Sequence, residues 1–212
     1  MKISNWGNYP VVDARVLPIN YPSDIKTALK QEGECISRGL GRCYGDSALS
    51  ATIWDNQHSN RVISFDAKTG LICAQSGLSI AELLNFVVPK GWFIPVTPGT
   101  KYVTLGGALA SNIHGKNHHL EGCIGDHVLS FSLHTASGEI LNCSASENAK
   151  YFKASMGGMG LLGHVSEISL QLKRIDNAFI RQKVMKAGDL ESLYQLFEET
   201  KDYTYSVAWI DT

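Results

Sequence analysis

The chain has 212 residues, 44% of them hydrophobic, and 19 Lys+Arg against 20 Asp+Glu leave a net charge of -1. That length and apolar content suffice for one or two buried cores, and without a basic stretch to track a phosphate backbone, nucleic acid is excluded as a partner. Five widely spaced cysteines (Cys35, Cys43, Cys73, Cys123, Cys143), with no Cys-x-x-Cys pair, exclude a disulfide framework and a zinc ribbon.

Residues 1–16, "MKISNWGNYPVVDARV", lack the apolar core of a secretion signal, and no later run is long enough to span a bilayer. A cytoplasmic protein is expected, with a peripheral membrane contact left open. Residues 23–31, "SDIKTALKQ", read as a short amphipathic helix capped by Ser23, and "ECISRGLG" as a strand entering a glycine turn. The two apolar runs around Asp66 to Gly70 predict a hairpin. Ser79 caps the expected helix of Ile80, Leu83, Leu84 and Val87, which stops at Pro89 to Gly91. After the short strand in "WFIPVTPGT", Thr104 caps a helix made of "LGGALASN".

Residues 128–142 predict two strands joined at Ser137-Gly138; "SENAKYFKASMGGMGLLG" predicts a helix running into a glycine loop, and "HVSEISLQL" alternates as a strand. The mixture lacks the regular alternation of a parallel sheet, so the fold class is α+β. Beyond about residue 175 the spacing predicts a strand in "FIRQKVMKA", a helix capped by Asp189, and a strand in "YTYSVAWID". Residues 1–175 are expected to form one domain of two α+β parts divided near 97–105, and 176–212 to open a second domain.

Three glycine clusters carry the functional signal: "SRGLGRCYGDS" (37–47), "PGTKYVTLGGALA" (98–110) and "GGMGLLG" (157–163). Glycine allows positive φ and close approach to a ligand, and successive N–H groups in such turns form concave anion sites. Gly106 and Gly107 fall in the first turn of the predicted helix, where free N–H groups and the helix dipole favour a phosphate. Gly158, Gly160 and Gly163 match G-x-G-x-x-G, but that fingerprint follows a strand and opens a helix, and the context here is the reverse. The segment "SNIHGKNHH" holds His114 and His118 at zinc spacing, with His119 and His127 nearby. Gly115 and Asn117 are poor helix residues, and Gly115 stands where a metalloprotease has its glutamate. No metal site is therefore assigned, and a metal-dependent hydrolase remains the rival from another class.

Together "SRGLGRCYGDSAL", "PVTPGTKYVTLGGALASNIHGKNHH" and "GGMGLLG" resemble the FAD-binding domain of the vanillyl-alcohol-oxidase superfamily, in particular its bacterial FAD-linked sugar oxidoreductases. The resemblance implies a two-part α+β FAD domain followed by a substrate domain, and non-covalent FAD as cofactor. It places Arg38, Gly39, Leu40, Gly41, Arg42, Cys43, Tyr44, Gly45, Asp46 and Ser47 around the diphosphate and ribityl chain. Gly99, Thr100, Thr104, Leu105, Gly106 and Gly107 form the second cofactor segment. Ser111, Asn112, Ile113 and His114 lie beside the isoalloxazine, and Val165 near the adenine. Lys116 faces the substrate, and His114 and Lys116 are the candidate catalytic residues.

Arg42 stands where many members carry a histidine bonded covalently to flavin, and Cys43 follows it. "LEGCIGDHV" departs from the relatives' pattern at Cys123 and Ile124, which puts identical substrate choice in doubt. The function implied is oxidation of a secondary hydroxyl of a sugar or polyprenyl-phosphate sugar to a keto sugar. An aldonolactone or alditol oxidase and a non-catalytic flavin-binding module are the alternatives. The flavin carries the redox chemistry. No convincing base is present to take the hydroxyl proton, so the base is expected in the later domain and this chain alone is expected to be inactive. A reductase partner that completes an epimerisation is the further expectation.

Overall fold

The computed structural model describes residues 1–30 and 33–211. β1 (Lys2–Ile3) and β2 (Val12–Asp13) make a short antiparallel ribbon. β3 (Arg15–Pro18), α1 (Pro22–Ala28), β4 (Cys35–Arg38) and β5 (Thr52–Asp55) then build a parallel three-stranded sheet, ordered β3-β5-β4. Val16 and Ile36 both lie opposite Ile53 on the central strand. Parallel neighbours require a crossover. α1 supplies the first, and the second is the long loop from 39 to 51, which carries the first glycine cluster.

The chain then changes sheet. β6 (Val62–Phe65) and β7 (Leu71–Gln75) form the expected hairpin, followed by α2 (Ile80–Val87), β8 (Trp92–Phe93), α3 (Leu105–Ala110) and α4 (His118–Glu121). β9 (Val128–His134), β10 (Ile140–Ser144), α5 (Ala149–Ser155) and β11 (His164–Gln171) follow, and β12 (Lys173–Arg174) pairs with β8. The larger sheet is antiparallel, ordered β10-β9-β11-β7-β6. α6 (Leu190–Glu199) comes last.

Local chemistry explains these elements. In the hairpin turn the Asp66 carboxylate accepts from the Lys68 N–H and the Thr69 hydroxyl, both at 2.8 Å, and this holds its pKa below the ordinary value. Gly70 turns with φ +75° against the Trp92 ring, where a Cβ would come within 2.1 Å. Ser79 and Glu82 satisfy each other's backbone N–H groups at the start of α2, whose buried stripe is Ile80, Leu83 and Val87. β11 alternates, with His164, Ser166, Ile168 and Leu170 inward. The large core joins Ile72, Ala74, Leu83, Ile94, Leu109, Leu133 and Ile168 across the second sheet and its helices, while the parallel sheet has a separate small one of Ile19, Ile25, Ala28 and Trp54.

Three expectations change. Ser23 lies inside α1 rather than capping it; the Asp24 carboxylate takes the N–H groups of Asn20 and Tyr21 instead, each at 2.9 Å. The end of that predicted helix, Gln31, lies outside the described residues, as does Thr212. The change of sheet falls between Asp55 and Val62, and Val96 and Leu105 belong to one core. Residues 179–187 and 203–211 form no strand, because a strand needs a hydrogen-bonded neighbour and they meet none among the described residues. Phe179 and Trp209 there are 90% and 91% exposed. Mixed helices and sheets make the fold α+β, and among the described residues no helix is long and apolar enough to cross a membrane.

Candidate functional site

β4 delivers the chain into the first glycine loop, where the carbonyls of Gly41, Gly45, Asp46, Ser47 and Ala48 are occupied and, among the described residues, the amides are not. The Trp6 N–H donates to the Gly41 carbonyl at 3.0 Å, and the Asn5 side-chain amide donates to the carbonyls of Gly45 and Ser47. Arg38 donates to the Ser4 carbonyl at 2.8 Å, to the Ala48 carbonyl at 3.3 Å and to the Asn5 side-chain oxygen. Among the described residues, no main-chain N–H from Gly39 to Ala48 donates to any group of the chain. A run of unspent donors is what a diphosphate requires. The Arg38 guanidinium ties the N-terminal segment to the loop, and desolvation lowers its pKa.

Gly39 sets the loop against the start of α3, since a Cβ there would lie 2.3 Å from Thr104 Oγ1. Arg42 continues the contact by donating from Nε to the Tyr102 carbonyl at 3.3 Å, with its guanidinium 5.0 Å from the Trp6 ring centroid. Cys43 is half-buried, and burial pushes its thiol pKa up, an effect partly opposed by Arg38. Tyr44 and Asp46 are exposed, with Leu40 half-buried.

The start of α3 differs from expectation. Thr104 caps it, its hydroxyl accepting from the Gly107 N–H at 3.1 Å. The Leu105 N–H donates to the Leu78 carbonyl at 2.9 Å and the Gly106 N–H to the Ser76 carbonyl at 2.7 Å. These amides are spent, so the phosphate expected on Gly106 and Gly107 has no donors there. Gly106 is needed for packing instead, because a Cβ would come within 3.0 Å of Ser76. Gly99 and Thr100 are exposed, and the Thr100 hydroxyl accepts from the Tyr102 N–H at 3.2 Å.

The third glycine loop folds back on α3. The Gly157 N–H donates to the Leu109 carbonyl at 3.1 Å and the Met159 N–H to the Ala110 carbonyl at 2.9 Å. Gly163, at φ +147°, crosses the His134 carbonyl, where a Cβ would lie 2.3 Å from the oxygen. Leu109, Ala110, Ser155, Gly160 and Val165 line a small apolar recess, and the buried Ser155 hydroxyl has no partner among the described residues. The three glycine loops therefore meet around α3.

The histidine segment follows α3. Asn112, at φ +40°, accepts from the Gly125 N–H at 3.0 Å, and Ile113 bonds through its backbone to Ala108 and Ile124. The His114 ring lies edge-on to that of His118 at 5.8 Å. His114, Lys116 and Ser111 are exposed, whereas Asn117 is fully buried and donates to the Pro95 carbonyl at 2.7 Å. His118, His119 and His127 each direct a ring nitrogen at a backbone carbonyl, of Gly115, Tyr203 and Glu121 respectively. Among the described residues no three His, Cys, Asp or Glu side chains gather as a metal site.

One polar group went unread in the sequence. Ser37 Oγ and His164 Nδ1 share a hydrogen bond of 2.9 Å, and His134 Nε2 and Ser166 Oγ share one of 3.0 Å. The Trp54 ring meets His164 edge-on at 6.1 Å. Burial drives the His164 pKa down to about 3, with His134 adding to the effect, and burial also lowers that of His134, assisted by Lys26. Both imidazoles are neutral. The signal was present in "HVSEISLQL", whose inward parity puts two polar residues, His164 and Ser166, on an otherwise apolar face.

Residues 25–144 match the family described as FAD binding domain. The chain is 34% identical over 220 aligned residues to decaprenylphosphoryl-beta-D-ribose oxidase of Mycolicibacterium smegmatis, covering 99% of this chain and 48% of the relative. It is 28% identical to a putative D-arabinono-1,4-lactone oxidase of Neurospora crassa, over 63% of this chain and 24% of that protein. It is 32% identical to the L-gulonolactone oxidase of Bos taurus, over 53% of this chain and 25% of that protein. The chain thus spans about half the length of the first of these relatives and about a quarter of the others.

Proposed function

Because this chain belongs to the family of FAD-binding domains, we propose that it is the cofactor-holding part of an FAD-dependent oxidoreductase that oxidises a secondary hydroxyl of a sugar or lipid-linked sugar to a keto sugar. The observation that carries this reading is the run of unspent amides from Gly39 to Ala48, which fits the diphosphate of FAD. Gly39 to Ser47 hold that diphosphate through the main chain. Gly99 and Thr100 border it, and Val165 lies toward the adenine. Ser111, Asn112, Ile113 and His114 flank the flavin ring, and Lys116 offers an ammonium to a sugar-phosphate oxygen.

When bound, FAD supplies the hydride acceptor. The side chains of this chain orient and screen the substrate, and His114 and Lys116 set the charge near the reacting carbon. The base that takes the hydroxyl proton belongs to a second domain, which residues 176–212 open; the exposed Phe179, Val184 and Trp209 support that division. A reductase that returns the keto group to a hydroxyl of opposite configuration, and a membrane surface presenting the lipid-linked substrate, are the partners this chemistry suits.

Arg42 in place of a flavin-bonding histidine supports non-covalent binding. The test is an absorption spectrum of the FAD-loaded protein before and after acid precipitation. Yellow colour released to the supernatant is the expected result. Colour retained in the pellet assigns a covalent link to Cys43, and protein that takes up no flavin overturns the reading.

A further inference from the structure

We propose that Ser37 and His164 form a positioning clamp that fixes the first glycine loop against the third and so sets the affinity of the domain for FAD. The proposal rests on the reading of these two loops as walls of one dinucleotide site. Ser37 lies on β4, two residues before Gly39 opens the first loop; His164 is the first residue of β11, directly after Gly163 closes the third. Their hydrogen bond, at 2.9 Å, is the one bond that directly joins strands of the two sheets among the described residues. It therefore spans the seam between the two cores, at the point where both loops leave their strands.

The surroundings fix the direction of this bond. Trp54 lies opposite Ser37 in the parallel sheet and meets the edge of the His164 ring. On the other side the His134 ring stands 5.8 Å away, itself held by Ser166. Gly163 passes close to the His134 carbonyl, which occupies the space of a Cβ. His164 is 1% exposed, so water offers no substitute for the hydroxyl. Beside the bond the contact is apolar and loose: a Cβ placed on Gly160 would be 3.8 Å from the Ile36 side chain. Without the hydroxyl, β4 keeps its pairing with β5 and Gly39 and Arg42 keep their contacts with Thr104 and Tyr102, but the strand ends that carry the first and third loops lose the polar tie that fixes their spacing. Binding must then order what the clamp had ordered in advance.

The experiment titrates FAD against the protein by flavin fluorescence, with thermal unfolding of the apo form measured in parallel. Ser37→Ala is expected to weaken FAD binding about five- to tenfold, the size of one buried neutral hydrogen bond. Ser37→Thr restores the hydroxyl and is expected to bind within about twofold of wild type. An Ala variant with lower apo stability but unchanged FAD affinity overturns the clamp and leaves a structural bond. So does a Thr variant as weak as the Ala variant. Should Ser37→Ala fail to fold, His164→Asn keeps a polar atom at the position of Nδ1 and is expected to retain FAD within about threefold; a larger loss in that folded variant overturns the clamp. Wild-type protein that binds no FAD overturns the reading of the site itself, a result distinct from any ranking of the variants.

Discussion

The loop 39–48 and the start of α3 are alike in composition, each small-residue-rich with paired or near-paired glycines, yet they end in opposite states. In the loop the carbonyls of Gly41, Gly45, Ser47 and Ala48 face Trp6, Asn5 and Arg38, while the amides have no acceptor among the described residues. At α3 the chain leaving β7 presents the carbonyls of Ser76 and Leu78, and these consume the amides of Gly106 and Leu105. An anion site is thus decided by which backbone donors the fold leaves over, and glycine content alone does not say. Glycine serves the two places differently: in the loop Gly39 permits contact with Thr104, and in the helix Gly106 permits contact with Ser76.

The comparison breaks most sharply at Gly39. Gly39→Val drives a side chain into Thr104 and is expected to weaken FAD binding by at least about thirtyfold, on the order of 2 kcal/mol of overpacking, in a fluorescence titration. Gly45→Ala, where a Cβ meets nothing within 4 Å, is the matched control and is expected to bind as wild type. Equal affinities for the two variants would mean that the loop does not lie against α3.

Acidification is next in size. The folded pKa of His164 is about 3, below the ordinary 6.5, so between those values the unfolded chain binds the proton first. Stability is then complete above about pH 6.5 and falls toward pH 3, by about 1.4 kcal/mol per pH unit for one such histidine. His134 shifts in the same direction and adds to the slope. Denaturant unfolding at pH 7, 6 and 5 measures it, and His164→Asn is expected to flatten the slope; an unchanged slope would place the acid sensitivity elsewhere.

The smallest effect sharpens the contrast. Thr104→Ala removes the cap and is expected to cost about 1 kcal/mol, roughly a 2–4 °C fall in Tm, with FAD affinity changed by less than about threefold. Abolished FAD binding in a folded Thr104→Ala protein would return the phosphate to α3.

Local signals made most of the fold legible. The Ser79 and Thr104 caps, the Asp66 to Gly70 turn and the alternation of β11 each depend on neighbours a few residues apart, and each stands where the sequence places it. What escaped is long-range. Whether Gly106 keeps a free amide depends on Ser76, some thirty residues earlier. The fate of Arg38 depends on Ser4 and Asn5, and the Ser37 to His164 bond joins residues 127 apart. Strand propensity in 179–187 and 203–211 was real as composition, but pairing needs a partner that composition does not supply.

The unequal cores have a thermodynamic consequence. Among the described residues, Ile19, Ile25, Ala28 and Trp54 cluster beneath the parallel sheet, with Ile53 buried on its central strand, against twenty buried residues in the cluster of the antiparallel one. The smaller set removes less apolar surface from water per residue than the larger one, and that removal is the main driving force for order. The parallel sheet is therefore the more weakly anchored of the two layers. A ligand that binds only the folded form adds stability by mass action, so FAD at the proposed site is expected to steady that layer most.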